Sequence, residues 1–176
     1  MPKNITARPT TDFARENIFN VIENIEDLEG KRACDLFAGT GAISWEFASR
    51  GCSEVVAVEQ AATQANFIKA VKEKLGDTTV RVLRGDVFRF IERAERSFDI
   101  VFADPPYNHD RFAEIPGLIL NSGLVAPGTL VIVEHNKDHD FSELPGFFQH
   151  RVYGSVNFSL FRAGGDRGEK AGEKEG

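Results

Sequence analysis

The chain is poor in sulfur and has no long apolar run. Its 176 residues include two cysteines, Cys34 and Cys52, and a single methionine. Two thiols without a Cys-x-x-Cys spacing exclude a disulfide framework and fit a reducing compartment. The longest apolar stretches, such as residues 129–133, are strand-sized, well short of the ~20 residues of a membrane helix. The opening Met1-Pro2-Lys3-Asn4 has no apolar core of the kind a secretory signal needs, so a cytoplasmic protein without membrane attachment is expected. Basic charge is scarce as well: 21 Lys and Arg face 27 Asp and Glu, for a net charge of −6. Any contact with nucleic-acid phosphates must therefore come from a local patch. From residue 163 onward the chain carries Gly and charge with no apolar side chain beyond Ala, too little to bury. The expectation is one ordered domain over residues 1–162 and a disordered tail over residues 163–176.

What is present is a 41% hydrophobic fraction with fifteen Phe, enough for a sizeable core. Apolar residues at Ala14, Ile18, Val21, Ile22 and Ile25 have helical spacing after a Thr-Asp start, and Gly30 closes that segment. From there strand and helix patterns alternate. Strands are expected over 32–37, 54–58, 79–83, 98–103 and 129–133. Helices are expected over 42–50, 61–75, 87–93 and 112–120. Two last strands, 148–153 and 156–162, share the tight Gly154-Ser155 link of a hairpin. Alternation of this kind predicts an α/β fold: a doubly wound, mostly parallel sheet of Rossmann-like type, closed by an antiparallel C-terminal hairpin. Such sheets bind ligands at the carboxyl ends of their strands.

The distinctive residues fall at those ends. Asp35-Leu36-Phe37-Ala38-Gly39-Thr40-Gly41 runs from a strand through a glycine turn into a helix. Gly39 and Gly41 allow a ligand close to the backbone, and the helix start offers unpaired N–H groups. The third glycine of a dinucleotide fingerprint is absent, and so is the Gly-Lys-Ser/Thr of a P-loop. A nucleoside-type cofactor with an amino-acid tail suits what remains; a purely structural turn is the plain alternative. Glu59 ends the second strand about twenty residues later, where a ribose-binding acid belongs. Asp86 ends the third, where it could accept from an adenine amino group while a neighbouring backbone N–H meets the ring; taken alone it reads more readily as a helix cap.

Asp104-Pro105-Pro106-Tyr107 is the most specific signal. Prolines fix the backbone and donate nothing, which leaves their carbonyls to accept. The Asp104 carboxylate and the Pro105 carbonyl can take both protons of one –NH₂ group and aim its lone pair at an electrophile. Tyr107 can stack on a planar base.

The loop at residues 35–41 resembles the S-adenosylmethionine loop of Rossmann-like methyltransferases, and Asp104-Pro105-Pro106-Tyr107 resembles their amino-methylation motif. More narrowly, the chain resembles the RsmD family of 16S rRNA guanine-N2 methyltransferases. Arg8-Pro9-Thr10-Thr11-Asp12 carries that narrowing, with Arg15-Glu16, Phe19-Asn20, Ser49-Arg50-Gly51 and Phe98-Asp99-Ile100-Val101-Phe102. The similarity covers roughly residues 8–162. It implies S-adenosylmethionine as cofactor and S-adenosylhomocysteine as product, with no metal. It implies cofactor contacts at Asp35, Phe37, Ala38, Gly39, Gly41, Glu59, Asp86, Val87 and Asp104, with Thr11 near the methionine end. It implies chemistry at Asp104, Pro105, Pro106 and Tyr107. The acceptor would be 16S rRNA, free or within an assembled or assembling small ribosomal subunit, and the enzyme a monomer. Members of the family usually begin with a short basic, glycine-containing β-hairpin, and this sequence starts almost at the segment that follows it, either because the protein is naturally short or because the sequence is a piece of a longer one. The expectation is an effect on RNA affinity and none on cofactor binding.

Arg8, Arg15 and Arg111 flank these motifs and are the candidates for phosphate contact; each also reads as an ordinary surface arginine. His135 and His139 have i, i+4 spacing, but no third ligand accompanies them, so no metal site is expected. Three other activities remain consistent with the pattern: methylation of adenine N6, methylation of a protein glutamine amide, and binding without catalysis. The glutamine enzymes usually carry Asn where Asp104 stands, and DNA adenine enzymes usually carry a target-recognition domain for which 176 residues leave no room.

Overall fold

A computed structural model describes residues 11–164. The elements follow in the order α1 (Asp12–Ile25), β1 (Arg32–Leu36), α2 (Ala42–Ser49), β2 (Glu54–Glu59), α3 (Ala62–Leu75), β3 (Val80–Arg84), α4 (Val87–Arg93), β4 (Ile100–Ala103), a 3₁₀ turn at Phe112–Glu114, α5 (Ile115–Leu120), β5 (Leu130–His135), β6 (Phe147–Tyr153) and β7 (Val156–Arg162). They build one seven-stranded sheet in the order β3-β2-β1-β4-β5-β7-β6. The first five strands are parallel, and β7 pairs antiparallel with both β5 and β6. The expected doubly wound α/β sheet with its antiparallel hairpin is what the chain forms. One detail of order was not legible in the pattern: the last strand lies inside against β5, and β6 takes the edge.

Period-two alternation sorts the strand side chains onto two faces. Ala33, Val55, Ala57, Ile100, Phe102, Leu130, Ile132, Phe158 and Leu160 pack with Ile18, Phe19 and Ile22 of α1, Ile43 and Phe47 of α2 and Ile68 of α3. Cys34, Leu36, Val56, Val58, Val101, Ala103, Val131 and Val133 face the other way, onto Val87 and Ile91 of α4 and Ile115 and Ile119 of α5. Both faces of β1, β4 and β5 are covered, which is why those strands read as continuous apolar runs.

Several boundaries moved for physical reasons. β1 stops at Leu36 because Phe37 takes a left-handed backbone, φ 61°. The helix expected over 112–120 is a 3₁₀ turn followed by α5, with Pro116 in the first turn of the α-helix, where a missing N–H is harmless. α1 is capped by Thr11, whose Oγ1 accepts the Ala14 N–H at 3.1 Å. Backbone pairing runs one residue past Arg162: Ala163 is buried, donates to Thr129 and accepts from Gly128. The described residues contain no helix long and apolar enough to cross a membrane.

Candidate functional site

The strand order reverses between β1 and β4. β2 and β3 extend the sheet to one side of β1, and β5 extends it to the other side of β4, so the crevice beyond these two strand ends is the topological switch point. The glycine loop leaves β1 here and Asp104 leaves β4. Leu36 and Ala103 stand level in the register, and the Asp104 N–H donates to the Leu36 carbonyl at 3.3 Å. The fold thus brings the two strongest sequence motifs side by side.

Within the loop, the Ala38 N–H binds the Val58 carbonyl of β2 at 3.0 Å, and the Gly41 N–H folds back to the Ala38 carbonyl at 2.9 Å. Phe37 at positive φ is an outlier for a bulky residue, and such outliers concentrate where a loop is shaped for function. Gly41, φ 89°, is the residue on which α2 starts. A Cβ there would stand 3.0 Å from Ile68 and 3.2 Å from the Trp45 Nε1.

Asp35 is 1% exposed. Its Oδ2 accepts the Ser44 hydroxyl at 2.7 Å, while Oδ1 is buried with no hydrogen-bond partner. Burial pushes its carboxyl up to about 7, against the pull of the Ser44 hydrogen bonds and with a smaller push from Glu59. The Trp45 indole N–H, beside Gly41, is likewise buried and unpartnered. Orphaned groups of this kind cost about 1–3 kcal/mol each and call for an explanation.

Glu59 spans the loop. Its Oε1 accepts the Gly39 N–H at 2.7 Å and its Oε2 accepts the Ala61 N–H at 2.9 Å. Each carboxylate oxygen keeps a second lone pair, so these bonds do not preclude ribose hydroxyls. Asp86 is the N-cap of α4 and accepts the Phe88 N–H at 2.9 Å; Val87 behind it is buried. Thr11 is occupied as the cap of α1.

At the Asp-Pro-Pro-Tyr turn, Pro105 is buried and Pro106 exposed. The Pro106 carbonyl accepts the His109 N–H at 3.1 Å and so closes the turn. The Tyr107 hydroxyl donates to Glu134 at 3.1 Å, and its ring meets Phe112 edge-on with centroids 6.2 Å apart. Sequence reasoning passed over Glu134; the available signal was a carboxylate closing the apolar run Leu130-Val131-Ile132-Val133. It also passed over Phe88. Phe88 lies against Phe37 (6.0 Å) and His109 (5.0 Å), under the Arg111 guanidinium at 4.4 Å, and so links the rims of β1, β3 and β4.

Of the three arginine candidates, Arg8 lies outside the described residues. Arg15 pairs with Asp12 at 2.8 Å and with Glu46 at 3.6 Å. Arg111 pairs with Glu114 at 3.1 Å. His135 lies on β5, not on a helix, so the i, i+4 reading with His139 fails. It contacts the Ser159 hydroxyl through Nε2 at 2.8 Å, and burial, aided by His150 and His139, holds its pKa below the usual histidine value. Among the described residues no group of three or more His, Cys, Asp or Glu could hold a metal. The depression between α3 and β3, lined by Lys69, Lys72 and Val82, opens toward the amino end of β3, away from this rim.

Comparison with known proteins agrees with the geometry. The family model described as "Conserved hypothetical protein 95" matches residues 1–162. "Ribosomal RNA small subunit methyltransferase D" of Buchnera aphidicola is 30% identical over 127 residues, 72% of this chain; the match spans 64% of that protein's length. The Escherichia coli K12 protein of the same name is 27% identical over 92% of this chain and 82% of its own. A hypothetical protein of Thermus thermophilus superposes with a TM-score of 0.79 at 32% identity, covering 92% of this chain and 91% of the other. The T. thermophilus 16S rRNA N2 G1207 methyltransferase, solved with AdoMet and guanosine, shares the fold: TM-score 0.71, 21% identity, 90% of this chain and 45% of that one. The chain therefore belongs to the family of that model, the RsmD family of Rossmann-like methyltransferases.

Proposed function

We propose that this protein transfers a methyl group from S-adenosylmethionine to the exocyclic N2 amine of a guanine in small-subunit ribosomal RNA. The observation that carries the reading is the placement of Asp104-Pro105-Pro106-Tyr107 at the end of β4, hydrogen-bonded to β1 beside the glycine loop. The relatives' names support ribosomal RNA as acceptor, and the neighbour solved with AdoMet and guanosine supports the cofactor and the base.

The residues fit such a cofactor. The buried Asp35 Oδ1 lacks a donor and the buried Trp45 N–H lacks an acceptor, and an amino-acid tail offers one of each. In this reading Glu59 takes the ribose hydroxyls, Asp86 with the Val87 N–H takes the adenine edge, and Phe37, Ala38, Gly39 and Gly41 form the loop backbone beneath. When bound, the cofactor supplies a methyl group already activated on a sulfonium. The protein's task is then chiefly positioning. Asp104 and the Pro105 carbonyl accept the two amine protons, favour a pyramidal nitrogen and stabilise the positive charge that grows on it. Asp104, or water, takes the proton lost. Pro106 holds the turn, and Tyr107 offers its ring face to the base.

Asp104→Ala is the direct test. Transfer of labelled methyl groups to RNA should fall by at least a hundredfold, on the scale of a lost electrostatic stabiliser, while the cofactor dissociation constant measured by calorimetry stays within a few-fold. Equal loss of both would refute the assignment.

A further inference from the structure

We propose that Glu134 is a positioning residue for this reaction: it holds the Tyr107 hydroxyl and so fixes where the ring that receives the acceptor base sits. The inference rests on the reading of Tyr107 given above.

Glu134 is out of place by composition. Every residue of β5 is buried, and Glu134 is 0% exposed on the same face as Leu130 and Ile132. A carboxylate in such a setting is costly unless hydrogen-bonded, and an apolar residue would serve packing better. Its position explains it. Val133 pairs with Ala103 in the register, so Glu134 stands at the level of Asp104 on the neighbouring strand. Its Oε2 accepts the Tyr107 hydroxyl at 3.1 Å across 27 residues of sequence.

Two unlike contacts then orient the tyrosine. Phe112 meets the ring edge-on, 80° between planes, and Glu134 holds the far end of the phenol. An apolar contact alone leaves the ring free to swing; a hydrogen bond to a fixed acceptor does not. The acceptor is fixed because β5 is flanked by β4 on one side and β7 on the other. Asp104 and Tyr107 belong to one turn, so a ring held from β5 also registers that turn against the sheet.

The test compares Glu134→Ala, Glu134→Gln, Tyr107→Phe and the Glu134→Ala/Tyr107→Phe double variant. Glu134→Ala and Tyr107→Phe should each lower kcat/KM for RNA roughly tenfold, the scale of one hydrogen bond to a charged group. Glu134→Gln, whose amide oxygen still accepts, should recover most of the loss. The double variant should be no worse than either single one, and cofactor affinity should stay within twofold throughout. Tyr107→Phe removes one hydroxyl and keeps the ring, so it carries the kinetic test even where Glu134→Ala fails to fold. Losses that multiply in the double variant, or wild-type kinetics in Tyr107→Phe, overturn the proposal.

A second readout needs no RNA. The chain has two tyrosines, Tyr107 and Tyr153. In a Tyr153→Phe background, Glu134→Gln and Glu134→Ala should shift the tyrosine near-ultraviolet band to the blue, more for Ala, as the phenol loses its charged acceptor. No shift overturns the pairing whatever the substrate. A shift in a protein whose wild type labels no RNA upholds the pairing and sinks only the RNA reading.

Discussion

At the scale of the residue, burial decides more than identity. Asp35 is an acid near a strand end whose carboxyl burial raises to about 7. The native state therefore holds a proton that the unfolded chain releases. Between about pH 4 and pH 7 the folded form binds more protons, so Asp35 lowers stability progressively as pH rises through that window, by a few kcal/mol in all, and the cost persists above it. Asp35→Asn should gain on wild type as pH goes from 4 to 8 in urea denaturation; a constant difference would contradict the burial. Function should feel the same proton. A cationic cofactor tail beside Asp35 favours its ionised form, so binding at pH 6 should release a proton, visible as a calorimetric heat that varies with the ionisation enthalpy of the buffer. A buffer-independent heat would place the tail elsewhere. Burial acts on the cysteines as well: it pushes Cys52 up to about 12 and Cys34 well above the usual thiol range.

At the scale of the element, the site is made by where strands stop. The glycine loop and the Asp-Pro-Pro-Tyr turn were legible because their chemistry is local: glycines where backbone must bend, prolines where donors must be absent. Asp86 was legible as a cap for the same reason. The Glu134–Tyr107 bond was not, because nothing in either segment encodes a partner on another strand; only the sheet register brings them together. The left-handed turn at Phe37 was equally hidden, since no local preference of Phe asks for it. Glycine tolerance within the loop can be ranked. Gly39, φ 59°, has open space around a notional Cβ, and Gly39→Ala should cost about 1 kcal/mol from backbone strain alone. Gly41→Ala adds contact with Ile68 and Trp45 and should cost about twice that and weaken cofactor binding. Equal midpoints in chemical denaturation would show that the packing around Gly41 yields freely.

At the scale of the whole molecule, one aromatic knot joins the helical layer to the sheet. Phe102 of β4 lies 6.2 Å from Phe19 of α1, 6.3 Å from Phe47 of α2 and 6.0 Å from Phe158 of β7. Phe102→Ala should cost about 3–5 kcal/mol, read from denaturant unfolding; a loss below about 1 kcal/mol would mean that this layer does not carry the fold. The alternation of strands and helices made the fold class readable, while the inward placement of β7 was not, because hairpin patterns do not say which strand pairs with the older sheet. The net charge of −6 bears on the acceptor. Both described arginine candidates are already paired with acids, so we propose that the substrate is presented partly by ribosomal protein. Assembled or assembling subunits should then be methylated faster than naked RNA, and equal rates would refute that.

The central claim is the identity of the methylated atom. The most direct measurement incubates the protein with labelled S-adenosylmethionine and small subunits from a strain that lacks this gene, then digests the RNA to nucleosides. The account predicts label in N2-methylguanosine, and label in N6-methyladenosine or in protein would contradict it.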